Sequence, residues 1–179
     1  AYPSNPPKTD ELVSAVWNSA AHRLALPQQH LGVIQPTIWE YSAGRLKTLM
    51  RSTQRVGTVC TARSEDYGRT WTPATTIDIP HSNSGLDAVR LADGRVVLVC
   101  NPTTEGRTPL SLLISEDNGE SWPQRIDVET RPGEYSYPSI VQAKDGAIHV
   151  VYTYQRRTIQ HLAVTPDELA ARAANWQPH

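Results

Sequence analysis

Ser64-Glu65-Asp66-Tyr67-Gly68-Arg69-Thr70-Trp71 returns, little changed, as Ser115-Glu116-Asp117-Asn118-Gly119-Glu120-Ser121-Trp122. The second copy begins 51 residues after the first. A fixed period of roughly 40 to 50 residues is what a β-propeller or related array leaves in a sequence. Each copy reads as a hairpin turn. The Asp side chain accepts hydrogen bonds from backbone N–H groups of the turn. The Gly supplies a positive φ that a Cβ would resist. The Trp opens the outgoing strand and buries a large ring between neighbouring units. These aspartates are therefore expected to hold turns, not to catalyse.

Outward from the two copies, short β runs punctuated by turn signals extend from about Val33 to Val164. Tight hairpins fall at Ser42-Ala43-Gly44-Arg45, Ala92-Asp93-Gly94-Arg95 and Lys144-Asp145-Gly146-Ala147, most clearly where Asp-Gly occurs. Second strands follow at Leu46–Arg51, Val96–Asn101 and Ile148–Thr153. Third strands follow at Gly57–Ala62, Leu110–Ile114 and Thr158–Val164. Aligning the three hairpin glycines predicts three blades over residues 32–164. The third lacks the repeated phrase and passes into Thr165-Pro166-Asp167-Glu168, a helix start with Thr as cap, Pro at the first position and Glu at the third. That helix is expected to run to about Asn175, within a C-terminal segment 165–179. Residues 1–31 read as a proline-rich arm followed by an amphipathic helix near 10–22, capped by Thr9 and ending before Pro27.

The expected class is thus all-β: three antiparallel four-stranded blades, half of a six-bladed ring, with short flanking helices. Propellers avoid open blade faces by closing the circle. An open half exposes two apolar faces, more than a soluble monomer tolerates. The chain is therefore expected to be part of a longer polypeptide, to pair with a second copy, or to cover those faces with its helices.

Seventeen Lys and Arg against eighteen Asp and Glu leave a net charge of −1, which gives no electrostatic reason for nucleic acid or an anionic membrane as partner. No stretch approaches the roughly 20 apolar residues of a membrane span. Cys60 and Cys100 lie far apart without metal-ligand spacing and read as small buried residues. No cofactor or metal is implied, and nothing sets the compartment.

Strand alternation brings equivalent blade positions together at the end opposite the repeated turns. Nine residues before the hairpin glycines stand Gln35, Gly85 and Tyr137. Seven before stand Thr37, Asp87 and Ser139, and seven after stand Arg51, Asn101 and Thr153. These positions are expected to ring one concavity, with Arg107 entering from a loop. His149 reads as a strand residue, and His161 with the Arg156-Arg157 pair as solvated.

The pattern Ser-x-Asp-x-Gly-x-Thr/Ser-Trp resembles the Asp-box of sialidases (neuraminidases) and related propellers, which joins the third and fourth strands of a blade on the face away from the active site. The likeness extends to Gln35-Pro36, Gly44 and Arg51, then Asn101-Pro102, Arg107-Thr108-Pro109-Leu110 and Glu134-Tyr135-Ser136-Tyr137-Pro138. It spans about Val33 to Val164 and is similar to the last three blades of a sialidase. By that resemblance Arg51 and Arg107 are two of three arginines that bind the substrate carboxylate, with Asp87 and Asn101 as further substrate-binding candidates. Tyr137 is the nucleophile by hairpin register. Tyr135 competes, because Tyr135-Ser136 matches the family's Tyr-Ser. Guanidinium forks suit a carboxylate, and a neutral phenol avoids facing the substrate's charge with another carboxylate. Gln35 stands where the family has the Glu that accepts the tyrosine proton, and an amide is no general base. The family's first arginine and its acid belong to earlier blades.

Three functions compete on this reading. The first is a sialidase-like glycoside hydrolase of an acidic sugar, completed by missing blades or a second chain. The second is a non-catalytic module binding sialic or uronic acids. The third is a degenerate propeller serving assembly.

Overall fold

The computed structural model describes residues 32–177; the expected helix near 10–22 and the arm before it lie outside them. Strands β1 (Val33–Ser42), β2 (Arg45–Ser52), β3 (Thr58–Ser64) and β4 (Thr75–Pro80) form a four-stranded sheet in that order. Strands β5 (Asp87–Arg90), β6 (Val96–Cys100), β7 (Leu110–Ser115) and β8 (Gln124–Glu129) form the second sheet. Strands β9 (Tyr135–Gln142), β10 (Ile148–Tyr154) and β11 (Thr158–Val164) form the third. All pairings are antiparallel. The first strands of the sheets pack on one another, β1 on β5 and β5 on β9. The fold is all-β, as expected.

Two expectations need correction. The third sheet has three strands, not four, because the chain leaves β11 for a helix. That helix, α1 (Pro166–Arg172), stops short of Asn175. Its start is as predicted: Thr165 and Glu168 form a reciprocal capping box with Pro at the first turn. Its end is set by a tertiary partner. Ala173 turns extended (φ −66°, ψ 130°), and Ala174–Asn175 then form β12, which pairs with Arg125 and Gln124 of β8. The Trp176 N–H donates to the Pro123 carbonyl at 2.7 Å. Alanine-rich sequence favours continued helix, but a sheet edge supplies hydrogen bonds that a fraying last turn leaves to water.

The core follows from period-two alternation on the middle sheet. Val96, Leu98 and Cys100 of β6 pack with Trp39, Leu49, Val59 and Ile79 of the first sheet. Val97 and Val99 pack with Ile140, Ile148, Val150 and Tyr152 of the third, with Leu169 of α1 in the same cluster. Every residue of β6 is buried, each branched side chain stabilising the stack by about 1.5–3 kcal/mol. Cys60 and Cys100 are free and buried, and burial pushes their thiols up to about 11 and about 12.

Both repeated turns share one hydrogen-bond scheme. In the first, Thr70 donates its N–H (2.8 Å) and hydroxyl (2.6 Å) to the Asp66 carboxylate, while Gly68 N–H donates to the Ser64 hydroxyl (2.8 Å). In the second, Ser121 N–H (2.9 Å) and hydroxyl (2.5 Å) reach Asp117, and Gly119 N–H reaches Ser115 (2.7 Å). Two successive residues are left-handed in each turn: Tyr67 (φ 61°) with Gly68, and Asn118 (φ 60°) with Gly119. The glycine is thus half of the device.

The Thr70 hydroxyl and N–H hold the Asp66 carboxyl down to about 2. A carboxyl depressed in the fold stabilises it fully above the unfolded value of about 3.9 and loses that contribution as pH falls through the folded value. Melting temperature is therefore expected to fall between about pH 4 and pH 2, and Asp66→Asn is expected to flatten that limb. A limb identical in the variant excludes Asp66 as its source. At the second turn, Asp117→Ala is expected to lower stability by about 1–3 kcal/mol by leaving turn N–H groups unpaired.

The sheets are also tied by polar struts. Asp87 accepts from Thr37 Oγ1 (2.8 Å) on β1 and from Ser139 Oγ (3.1 Å) and Ile140 N–H (2.9 Å) on β9. Buried Lys47 donates to the Gly119 carbonyl (2.6 Å) and pairs with Glu120 (3.0 Å). Of the two outward faces, that of the third sheet exposes Val141, Val151 and Ile159, while the first sheet buries Met50, Cys60, Ala62 and Ala74 together and exposes Ile34 and Ile38 of β1.

Candidate functional site

Of the predicted ring positions, Gln35, Arg51, Gly85, Arg107 and Tyr137 come together at the end of the sheets opposite the repeated turns. Gln35 and Tyr137 begin equivalent first strands and are both left-handed, at φ 47° and 49°. Each is a bulge residue. Ile34 pairs with Arg51 and Pro36 with Met50, which leaves Gln35 over; Tyr137 and Pro138 together oppose Tyr152. A residue before proline is normally driven to extended backbone, and a non-glycine residue held here costs of order 1–3 kcal/mol. The third equivalent position is Gly85, where a Cβ would lie 3.2 Å from the Tyr137 Cα. A side chain at 85 would displace the tyrosine backbone.

The bulge separates the two candidate tyrosines. Residues two apart share a face in a regular strand, but the left-handed turn breaks that rule. Tyr135 is 1% exposed and packs edge-on to Tyr152 (6.4 Å, 75°) and against Tyr154 (5.4 Å). Tyr137 is 53% exposed. The Arg107 guanidinium lies over its ring, 5.1 Å from the centroid. Hydrogen bonding and charge from Arg107, with a smaller pull from Arg51, hold the Tyr137 hydroxyl below the ordinary phenol range.

Each arginine is held in turn. Arg51 donates from Nε to Asn83 Oδ1 (2.8 Å) and from Nη1 to Gln35 Oε1. The Gln35 amide oxygen is thus taken by Arg51, and among the described residues Gln35 makes no hydrogen bond to Tyr137. Arg107 sits in the loop before β7, where its Nη1 lies 3.3 Å from Glu134 Oε1. Asn101 is fully buried and donates to the carbonyls of Arg107 (3.0 Å), Pro109 (2.9 Å) and Tyr135 (3.2 Å), so its amide fixes the loop that carries the arginine. Asp87 lies one layer below, in the strut between the sheets.

Sequence reasoning misses Glu134, Arg156 and Asn83. Glu134 bridges Arg107 and Arg156, the latter at 2.7 Å. Hydrogen bonding from Arg156 holds its carboxyl below the usual range. A signal exists: the turn after β10 has left-handed Gln155 (φ 54°) and Arg156 (φ 53°), and strand length alone returns it to the end where Arg107 lies. Arg156 is 72% exposed, as the solvated reading of the sequence has it, and the left-handed reversal at Gln155 and Arg156 nonetheless aims its guanidinium at Glu134.

The cluster therefore presents two partly buried guanidiniums around one acidified, solvent-facing phenol. Such an arrangement can hold an anion through charge-assisted hydrogen bonds.

Comparison with known proteins agrees with the fold. The family profile described as the BNR repeat-like domain matches residues 8–150. Among solved structures, the chain is similar to a variant of the NanB sialidase from Streptococcus pneumoniae, at 21% identity and a TM-score of 0.70, covering 80% of this chain and 25% of that one. It is similar to the intramolecular trans-sialidase from Ruminococcus gnavus in complex with oseltamivir carboxylate (23%, TM-score 0.60, 75% and 33%). The GH93 alpha-L-arabinofuranosidase of Fusarium graminearum shares the fold at 16% identity (TM-score 0.57, 79% and 49%). The chain thus spans between a quarter and a half of these structures. No curated protein matches it.

Proposed function

Since the chain belongs to the BNR repeat-like domain family, we propose that it is the carboxylate-recognising part of a sialidase-like, glycan-processing propeller. The observation that carries this reading is the Arg51–Arg107–Tyr137 cluster, built around a tyrosine held in a strained left-handed bulge. Strain at an exposed polar residue has no packing purpose and suits a group that must face a ligand. Two guanidiniums attract the carboxylate of a sialic or uronic acid, and the phenol lies between them and the sugar. Glu134 and Asn101 position Arg107; Asn83 and Gln35 position Arg51. Asp87 and Tyr135 serve the framework.

Hydrolysis requires further groups. Gln35 cannot take the phenol proton, and its amide oxygen already accepts from Arg51. An acid for the leaving group must come from blades supplied by a longer polypeptide or a second copy, which would also cover the apolar face of the third sheet. The 179-residue chain is therefore expected to bind sialic acid weakly in calorimetric titration and to release no phenol from an aryl sialoside. Gln35→Glu is expected to add little while the acid is lacking. Hydrolysis at ordinary enzymatic rates by this chain alone sinks the division of labour. Absence of any carboxylate-dependent binding sinks the reading itself and favours a role in assembly.

A further inference from the structure

A second concavity lies at the rim of the sheets, away from the arginine cluster. It encloses about 270 Å³ between β4 of the first sheet, the second Asp-box turn and the residues after β12. Ile77, Trp122 and Trp176 give it an apolar wall; Asp78, Glu120 and Gln177 stand at its edge. The volume lies just under the roughly 300 Å³ at which ligand pockets usually begin, which suits a single ring.

The tertiary structure goes out of its way to bring Trp176 there. Helix α1 ends early, β12 pairs with β8, and the Trp176 N–H is clamped to the Pro123 carbonyl at 2.7 Å. Arg125 then lies over the indole at 5.7 Å from its centroid. A tryptophan fixed in backbone and ring but only half-buried is a pre-ordered platform, so little side-chain entropy is lost when something stacks on it.

The polar groups select the ligand. Glu120 is already shared by Lys47 and Arg63. Asp78 makes neither an ion pair nor a side-chain hydrogen bond among the described residues, so its charge is free to repel an anion and to accept from hydroxyl donors. A pyranose has an apolar C–H face for an indole and hydroxyls round its edge for a carboxylate and an amide oxygen. We infer that this rim cleft is a binding site for one uncharged hexopyranose ring, separate from the carboxylate-binding cluster.

The test uses the 179-residue chain with methyl β-D-galactopyranoside and methyl β-D-glucopyranoside as probes, followed by saturation-transfer NMR and tryptophan fluorescence. At least one glycoside is expected to bind saturably. Its affinity is expected to fall at least tenfold in Trp176→Ala and in Asp78→Ala, to stay within a few-fold in Trp176→Phe, and to be unchanged in Arg107→Ala. Asp78 is exposed and has no side-chain partner among the described residues, so its variant carries the test even if Trp176→Ala loses its fold by circular dichroism. Failure of both glycosides to bind overturns the inference. So does binding that survives Asp78→Ala, or binding lost in Arg107→Ala, which would put the sugar at the other site. An apolar peptide competing for the cleft while neither glycoside binds would make it a protein contact instead.

Discussion

Trp122→Ala is expected to cost the fold about 3–5 kcal/mol, the range for truncating a buried tryptophan, and to lower the melting temperature by roughly 10 °C in a chain of this size. Trp122 is 7% exposed and packs between the first and second sheets beside Trp39, Leu98 and Leu113. Its counterpart Trp71, at the same place in the first Asp-box, is only half-buried. It packs at the edge of a smaller cluster around Met50 and Cys60 and donates from its indole to the Gly68 carbonyl at 3.1 Å. Trp71→Ala is expected to cost roughly 1–2 kcal/mol, in proportion to the area it keeps in water. The contrast departs from the sequence-based expectation that both rings are largely buried. The repeat specifies the ring, but burial needs a neighbouring sheet on that side; among the described residues, only Trp122 has one. Urea unfolding of the two variants measures the difference as a shift in midpoint. Equal shifts would refute the asymmetry.

Arg107→Ala is expected to weaken sialic acid binding by roughly 10- to 150-fold, the equivalent of a charge-assisted hydrogen bond worth about 1.5–3 kcal/mol. The same substitution is expected to raise the Tyr137 hydroxyl back toward the ordinary phenol value of about 10, because Arg107 is the main influence holding it down. An ultraviolet titration of the tyrosines, with Tyr137→Phe identifying the signal, reads this separately from binding. Arg107→Lys keeps a charge but not the fork, and an intermediate affinity is expected. The fold is expected to survive, since Glu134 keeps Arg156 as a partner at 2.7 Å. Added salt is expected to weaken wild-type binding more than the variant's, because screening acts on the charge that was removed. An unchanged affinity together with an unchanged tyrosine titration would remove Arg107 from the site.

Much of the site is legible in the order of residues along the chain. Counting from the hairpin glycines puts Gln35, Gly85 and Tyr137 at equivalent places, and Thr37, Asp87 and Ser139 one layer below. Thr37 and Ser139 both hydrogen-bond to Asp87. Counting cannot decide which of Tyr135 and Tyr137 faces outward. That depends on a left-handed residue before proline, a conformation local preference argues against and the surrounding sheet imposes. Nor can counting show that Asn101, at a ring position, is buried and spends its amide on three backbone carbonyls. Burial depends on what the loop carrying Arg107 does around it.

Local sequence suffices for the class, the number of sheets, the hairpins and both Asp-box turns. Each of these is a matter of side-chain period, glycine φ and hydrogen bonds spanning a few residues. Long-range packing sets how α1 ends, which Asp-box tryptophan is buried and the pairing of Glu134 with Arg107 and Arg156. Each of those turns on a group distant in sequence. The β8 edge captures Ala174–Asn175 because unpaired strand N–H and C=O groups outweigh the small helix preference of a few alanines. Arg156 meets Glu134 only because a tight reversal after β10 brings its guanidinium back beside β9.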